Sequence, residues 1–221
     1  MAEARRAPAI YVLAGANGAG KSSIAGAMFR KRGADYFNPD DAMRAILAAN
    51  PGADPDAANS AAWHEGRRLL ERAIAERCDF ALETTLGGQT ITRLLESALA
   101  AGIEVRVWYV GLRNADLHVA RVRARVRRGG HDIPEEKIRA RYDQSRLNLI
   151  RLLPRLTELR LYDNSAEADP AAGRAPEPKL VLHLVRGQIA YVCPLPRTPP
   201  WAKPIVARAI LGTRAKTPRR K

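Results

Sequence analysis

The sequence predicts an α/β fold, a parallel sheet of about five strands flanked by helices, with a helical lid and a C-terminal hairpin. Three observations carry that expectation. Short apolar runs alternate with longer amphipathic stretches from Ala9 to Asn164. The first run enters a glycine-rich loop. Two arginine-dense helical stretches, separated by Gly and Pro, follow the fourth run. The expected organisation is one domain over 1–195, its lid at about 115–153, and a basic, Pro-containing tail over 196–221.

The elements follow in order. "AIYVLA" (9–14) reads as a buried strand. A helix from Ser22 to about Arg32 follows, with Gly33 closing it. "DYFN" (35–38) is a second strand, and Asp40 to Ala49 a helix opening on acids that suit its positive N-terminal end. Pro and Gly mark 50–59 as a loop. Ser60 to Arg77 is a long helix, "CDFALE" (78–83) a third strand, and Gln89 to Ala101 a helix closed by Gly102. "IEVRVWYVGL" (103–112) is rich in Val and aromatics, as a fourth strand should be. The basic helix 115–128 breaks at "GGHDIP". Pro134 suits the first turn of the next helix, which runs to about Leu153. "ELRLYDN" (158–164) is a fifth strand, 165–178 a loop, and 179–192 a hairpin turning near Arg186-Gly187.

Composition narrows the function classes. The chain has 221 residues, with 46% hydrophobic, 27% charged and 5% aromatic residues and a net charge of +14. That is globular rather than disordered, and a basic body suits a phosphate-rich ligand. From Pro196 onward there are eight basic residues and no acid. Such a tail is expected to be a solvated end. Nucleic-acid contact through it is a sharper reading but not the favoured one, because few aromatics accompany the charge. Two cysteines, Cys78 and Cys193, lack metal-ligand spacing and read as free thiols in a reducing compartment. No run approaches the ~20 apolar residues of a membrane span, so a cytoplasmic enzyme without a membrane partner is expected.

The chemistry concentrates at strand ends. Gly15, Ala16, Asn17, Gly18, Ala19, Gly20, Lys21 and Ser22 fit G-x-x-x-x-G-K-[ST] after a strand and before a helix, and Ser23 follows. Glycines let backbone N–H groups turn inward on phosphate oxygens, and the helix N-terminus adds positive charge. Lys21 is expected at the β- and γ-phosphates, and Ser22 on Mg²⁺. This predicts a P-loop NTPase or kinase using ATP. "LGGQ" (86–89) resembles an ABC-type signature, yet the next strand ends without the acids a Walker B strand needs. The Gly-Gly is better read as a strand-to-helix turn, with Glu83, Thr84 and Thr85 facing the phosphate loop as substrate contacts, Glu83 alternatively meeting a Mg²⁺-bound water. Asp40 and Asp41 end the second strand. Either could accept a proton from an acceptor hydroxyl while the other contacts substrate or caps the helix, and Asp40 is preferred as base. Arg121, Arg125 and Arg128 share a helix face by spacing and suit a charge-dispersing lid. His131 lies beside them in the turn, where it could touch phosphate as a substrate contact.

Together "GANGAGKSS", "FNPDD", "ALETTL", "ARVRARVRRGGHDIPEEKI" and "YDNS" resemble the zeta toxin family of P-loop kinases, in the branch often labelled ABC-type ATPase. The resemblance spans about Ile10 to Ser165. It implies ATP- and Mg²⁺-dependent phosphorylation of the amino-sugar 3′-hydroxyl of UDP-N-acetylglucosamine. By motif, Lys21 and Ser22 would hold nucleotide and metal, Asp40 would be the base, and Glu83 would meet the sugar. Arg121 matches the first family lid arginine, while the second falls near His131, so that either Arg125 or Arg128 substitutes or the lid handles charge differently. Asn164 could approach the adenine. The resemblance also implies an antitoxin protein partner. Alternatives are a kinase of another metabolite, an antibiotic or a polynucleotide end, or a regulatory nucleotide-switch ATPase.

Overall fold

The computed structural model describes residues 6–21, 36–166 and 177–216. Among these, seven strands form one sheet in the order β2-β3-β1-β4-β5-β6-β7. They are β1 (Ala9–Ala14), β2 (Tyr36–Phe37), β3 (Phe80–Thr84), β4 (Glu104–Gly111), β5 (Glu158–Asp163), β6 (Lys179–Val185) and β7 (Gln188–Val192). The first five are mutually parallel. The expected hairpin does not stand apart. It continues the sheet antiparallel from β5, so the sheet has seven strands rather than five. Arg186 and Gly187 both take positive φ, 49° and 77°, as a two-residue turn between twisted strands requires. The fold is an α/β fold, a mostly parallel sheet flanked by helices.

The helices are α1 (Pro39–Ala49), α2 (Pro55–Glu76), α3 (Gln89–Ala100), α4 (Ala115–Val126), α5 (Glu135–Leu152) and α6 (Lys203–Lys216). The helix expected after the phosphate loop lies outside the described residues. Every residue of β1 is buried. Ile10, Val12 and Ala14 join a core with Leu70 of α2, Leu95 of α3, Leu149 of α5 and Ile205 of α6. Tyr11 and Leu13 face the other side with Trp108 and Val110. A central parallel strand is apolar throughout because both faces are covered.

Three expectations are corrected. The loop placed at 50–59 is half helix: Asp54 accepts hydrogen bonds from Asp56 N (3.4 Å) and Ala57 N (3.0 Å), and Pro55 takes the first turn, so α2 starts five residues early. Neither Asp40 nor Asp41 caps α1. Asn38 does, accepting from Asp40 N at 2.9 Å. The tail is not an appendage beginning at 196. Trp201, Ala202, Ile205, Val206 and Ala209 are buried in the main core. The Trp201 indole lies on Gly111 of β4 and donates from Nε1 to Asp163 Oδ1 at 3.0 Å. Its basic residues had masked an amphipathic helix that completes one face of the sheet. Among the described residues no helix is long and apolar enough to cross a membrane.

Candidate active site

β2, β3, β1, β4 and β5 end side by side, and the segments that leave β1, β2, β3 and β5, with the lid helices, line a cleft of about 1810 Å³. The phosphate loop forms one wall. Gly15, Gly18 and Gly20 have φ of 141°, 80° and 84°, backbone that only glycine adopts without strain. A side chain at Gly15 would also run into the Val110 carbonyl oxygen, 2.2 Å from an added Cβ. Lys21 is buried and donates to the Gly15 carbonyl at 2.9 Å, and its Nζ lies 3.4 Å from Glu83 Oε1. Glu83 Oε2 accepts from Tyr36 OH at 2.7 Å. The acid that ends β3 is therefore held against the phosphate-loop lysine.

The turn after β3 explains the two glycines of "LGGQ". The Thr84 hydroxyl accepts from Leu86 N at 3.0 Å and that of Thr85 from Gly87 N at 3.4 Å, which folds the chain back. A Cβ on Gly87 would stand 2.8 Å from Arg141 Cγ. The glycine makes room for Arg141, which donates from Nη1 to Asn17 Oδ1 at 2.9 Å and so bridges α5 to the phosphate loop. Burial pushes the Arg141 pKa down from its ordinary value. Ser145, one turn on, donates to the Thr85 carbonyl at 2.6 Å.

The lid arginines part company. Arg121 donates to the carbonyls of Asn164 (2.8 Å) and Ala166 (3.1 Å), at the β5 end. Arg125 turns to the acids, with Nη1 3.4 Å from Asp40 Oδ2 and Nη2 donating to the His131 carbonyl at 2.9 Å. Arg128 is exposed and lines the cleft, as does His131. Asp40 also lines it. Asp41, expected to contact substrate, is not among the cleft-lining residues; it pairs with Arg44, which does line the cleft. Of the phosphate loop, Asn17, Gly18, Gly20 and Lys21 line the cleft, whereas Ala16 and Ala19 are buried beneath. Ser22 and Ser23 lie outside the described residues.

Two residues missed by the sequence reading support this wall. His118 is buried, and its Nδ1 lies 2.7 Å from the Asn17 carbonyl. A carbonyl only accepts, so Nδ1 carries the proton. Burial, aided by the positive charges of Lys21, Arg121 and Arg146 and opposed by the Asn17 hydrogen bond, pushes the His118 pKa down to about 4. Arg141 was the other. A usable signal existed: it falls on the inward stripe of α5, three after Ile138 and four before Ser145, both buried. A charged residue on a buried stripe calls for a partner.

Comparison with known proteins agrees with this geometry. The zeta toxin family model matches residues 2–168. The chain belongs to the zeta toxin family. An uncharacterised protein of Haemophilus influenzae is 31% identical over 134 residues, covering 58% of this chain and 88% of that protein. Among solved structures, the AvrRxo1-ORF1:ORF2 complex with ATP superposes with a TM-score of 0.64 at 16% identity, over 93% of this chain and 64% of that one. This zeta toxin family chain thus spans under two thirds of the AvrRxo1 chain. The PezAT toxin–antitoxin system of Streptococcus pneumoniae gives a TM-score of 0.51 at 15% identity, over 73% of this chain and 70% of that one.

Proposed function

We propose that the protein is an ATP-dependent kinase that transfers the γ-phosphate to a hydroxyl of a nucleotide sugar, UDP-N-acetylglucosamine. The observation that carries the reading is convergence: Lys21, Glu83, Asp40 and Arg125 line one cleft, from four different elements. The loop amides and Lys21 seat the β- and γ-phosphates. Asp40 takes the acceptor hydroxyl proton as that oxygen bonds to the γ-phosphorus and the bond to the ADP oxygen breaks. Arg125, tied to Asp40 and the lid turn, and Arg128 disperse charge on the moving phosphoryl group. Glu83, with Thr84 and Thr85, meets the sugar.

Mg²⁺ fits this donor set. The carboxylate at the phosphate loop, Glu83, is engaged by Lys21 and Tyr36, so a small cation here would keep several waters and take substrate phosphates as ligands, and Ser22 would add its hydroxyl. When bound, the ion would offset negative charge on the phosphate oxygens. An antitoxin that blocks the cleft belongs to the same proposal, supported by the PezAT toxin–antitoxin system among the structural neighbours.

The test is incubation with ATP, Mg²⁺ and UDP-N-acetylglucosamine, read by mass of the sugar nucleotide. A phosphorylated product is expected, and Asp40→Asn is expected to lower kcat by about 10²- to 10⁴-fold. Folded wild-type enzyme that yields no product rejects this acceptor. Wild-type turnover in Asp40→Asn rejects the base.

A further inference from the structure

The turn after β3, which faces the proposed acceptor, is held in an unfavourable shape. Leu86 has φ of 53°, left-handed backbone that a bulky side chain seldom takes. Arg77 and Arg186, the other non-glycine residues described there, close α2 and turn the hairpin, where such backbone is usual. Leu86 does neither. It lies between β3 and α3, with its side chain buried in the main core. Backbone of this kind persists only where the surroundings impose it, and it gathers at functional sites. Glu83, Thr84, Thr85, Gly87 and Gly88, on either side of it, all line the cleft.

The surroundings that impose it belong to α5. Asn148 is 2% exposed, yet both polar atoms of its side chain are fully engaged. Nδ2 donates to the Leu86 carbonyl at 2.8 Å and to the Gly88 carbonyl at 3.3 Å. Oδ1 accepts from Gln89 Nε2 at 3.2 Å and from Gln144 Nε2 at 3.1 Å. Ser145, buried one turn earlier, gives its only proton to the Thr85 carbonyl, so the Tyr109 hydroxyl, 2.9 Å away, donates to Ser145 Oγ. Arg141, a further turn back and about 10 Å from Asn148 along the axis, holds Asn17 of the phosphate loop. A buried polar network with every member satisfied keeps its parts in one arrangement. We infer that Asn148 is a positioning residue for phosphoryl transfer: it holds Leu86 in its left-handed turn and so fixes Glu83, Thr84 and Thr85 against the phosphate loop, with Ser145 as a second clamp. α5 thereby sets the spacing of donor and acceptor. This rests on the kinase reading, in which the turn after β3 meets the acceptor.

Asn148→Asp keeps the side-chain shape but sets an oxygen against two carbonyls. Ser145→Ala removes one hydroxyl and serves where Asn148→Asp fails to fold. Deuterium exchange over 84–88 is expected to rise by about tenfold or more in either variant, while exchange over 10–21 stays at the wild-type level. Calorimetry should find the affinity for a non-hydrolysable ATP analogue within about threefold of wild type. With UDP-N-acetylglucosamine, kcat/KM for the acceptor should fall by about 10²-fold, the effect of a misplacement of about 1 Å, with KM for ATP unchanged. A residue that only supports the fold would lower Tm and leave the kinetics of the folded enzyme alone. Wild-type exchange over 84–88 in the folded variants overturns the clamp, whatever the acceptor. Raised exchange with unchanged acceptor kcat/KM, or an equal loss of affinity for the ATP analogue, overturns the positioning role. Wild type that phosphorylates no UDP-N-acetylglucosamine rejects that acceptor, and exchange with nucleotide affinity then decides the clamp without it.

Discussion

His118 makes stability depend on pH in a range where most side chains are silent. Its folded pKa is depressed from 6.5 to about 4, chiefly by burial, with Lys21, Arg121 and Arg146 adding repulsion. Above pH 6.5 the imidazole is neutral in folded and unfolded chains, and the full stability is present. As pH falls below 6.5 the unfolded chain takes a proton that the folded chain refuses, so stability drops until the folded pKa is passed. A depression of about 2.5 units at 1.36 kcal/mol per unit sets a ceiling of about 3 kcal/mol, of which about 2 kcal/mol is lost by pH 5. Urea unfolding of wild type and His118→Gln at pH 7.5 and pH 5 measures it. The variant is expected to be less stable at pH 7.5, because the Asn17 carbonyl loses its donor, but to lose about 2 kcal/mol less than wild type on acidification. Equal losses in the two proteins would falsify the account, since the slope would then belong to other groups.

Two further predictions concern the segment after 195. Gly111→Ala places a methyl group 2.3 Å from the Trp201 ring, so indole or strand must move, and urea unfolding should show a loss of at least about 1–3 kcal/mol, the usual cost of overpacking. Truncation after Leu195 removes Trp201, Ile205, Val206 and Ala209 from the core. Circular dichroism should find that chain unfolded or molten; a truncated protein with wild-type Tm would mean that the segment is dispensable.

The sequence was most legible where one residue type satisfies one local requirement. The phosphate loop demands positive φ at Gly15, Gly18 and Gly20, and the turn of the hairpin demands it at Arg186-Gly187. Both could be read without knowing the rest of the fold. The strand order could be anticipated as parallel because β1 is apolar on both faces. What could not be read locally was α6. Its residues Lys203, Arg208, Arg214 and Lys216 dominate the composition, while the pattern Trp201, Ile205, Val206, Ala209 that buries it is sparse and interrupted by Pro204. A helix whose apolar stripe is that narrow looks like a solvated tail until a sheet face is present to receive it.

The lid shows the same limit within the site. Spacing places Arg121 and Arg125 on one face, four residues and about 6 Å apart along the helix. It does not say what each will meet. That depends on where α4 crosses the strand ends. Arg121 comes down over the β5 end and is held by the carbonyls of Asn164 and Ala166, while Arg125 comes down over the start of α1 and meets Asp40. The positive group nearest the proposed base is thus Arg125, and the one on the phosphate loop is Arg141, twenty residues after Arg121 on the other lid helix. The second lid arginine that the motif resemblance implies near His131 need not be replaced at that position. The guanidinium groups at the two sides of the cleft come from Arg125, which meets Asp40 while its other arm holds the His131 carbonyl, and from Arg141, which reaches the phosphate loop across the Gly87 gap.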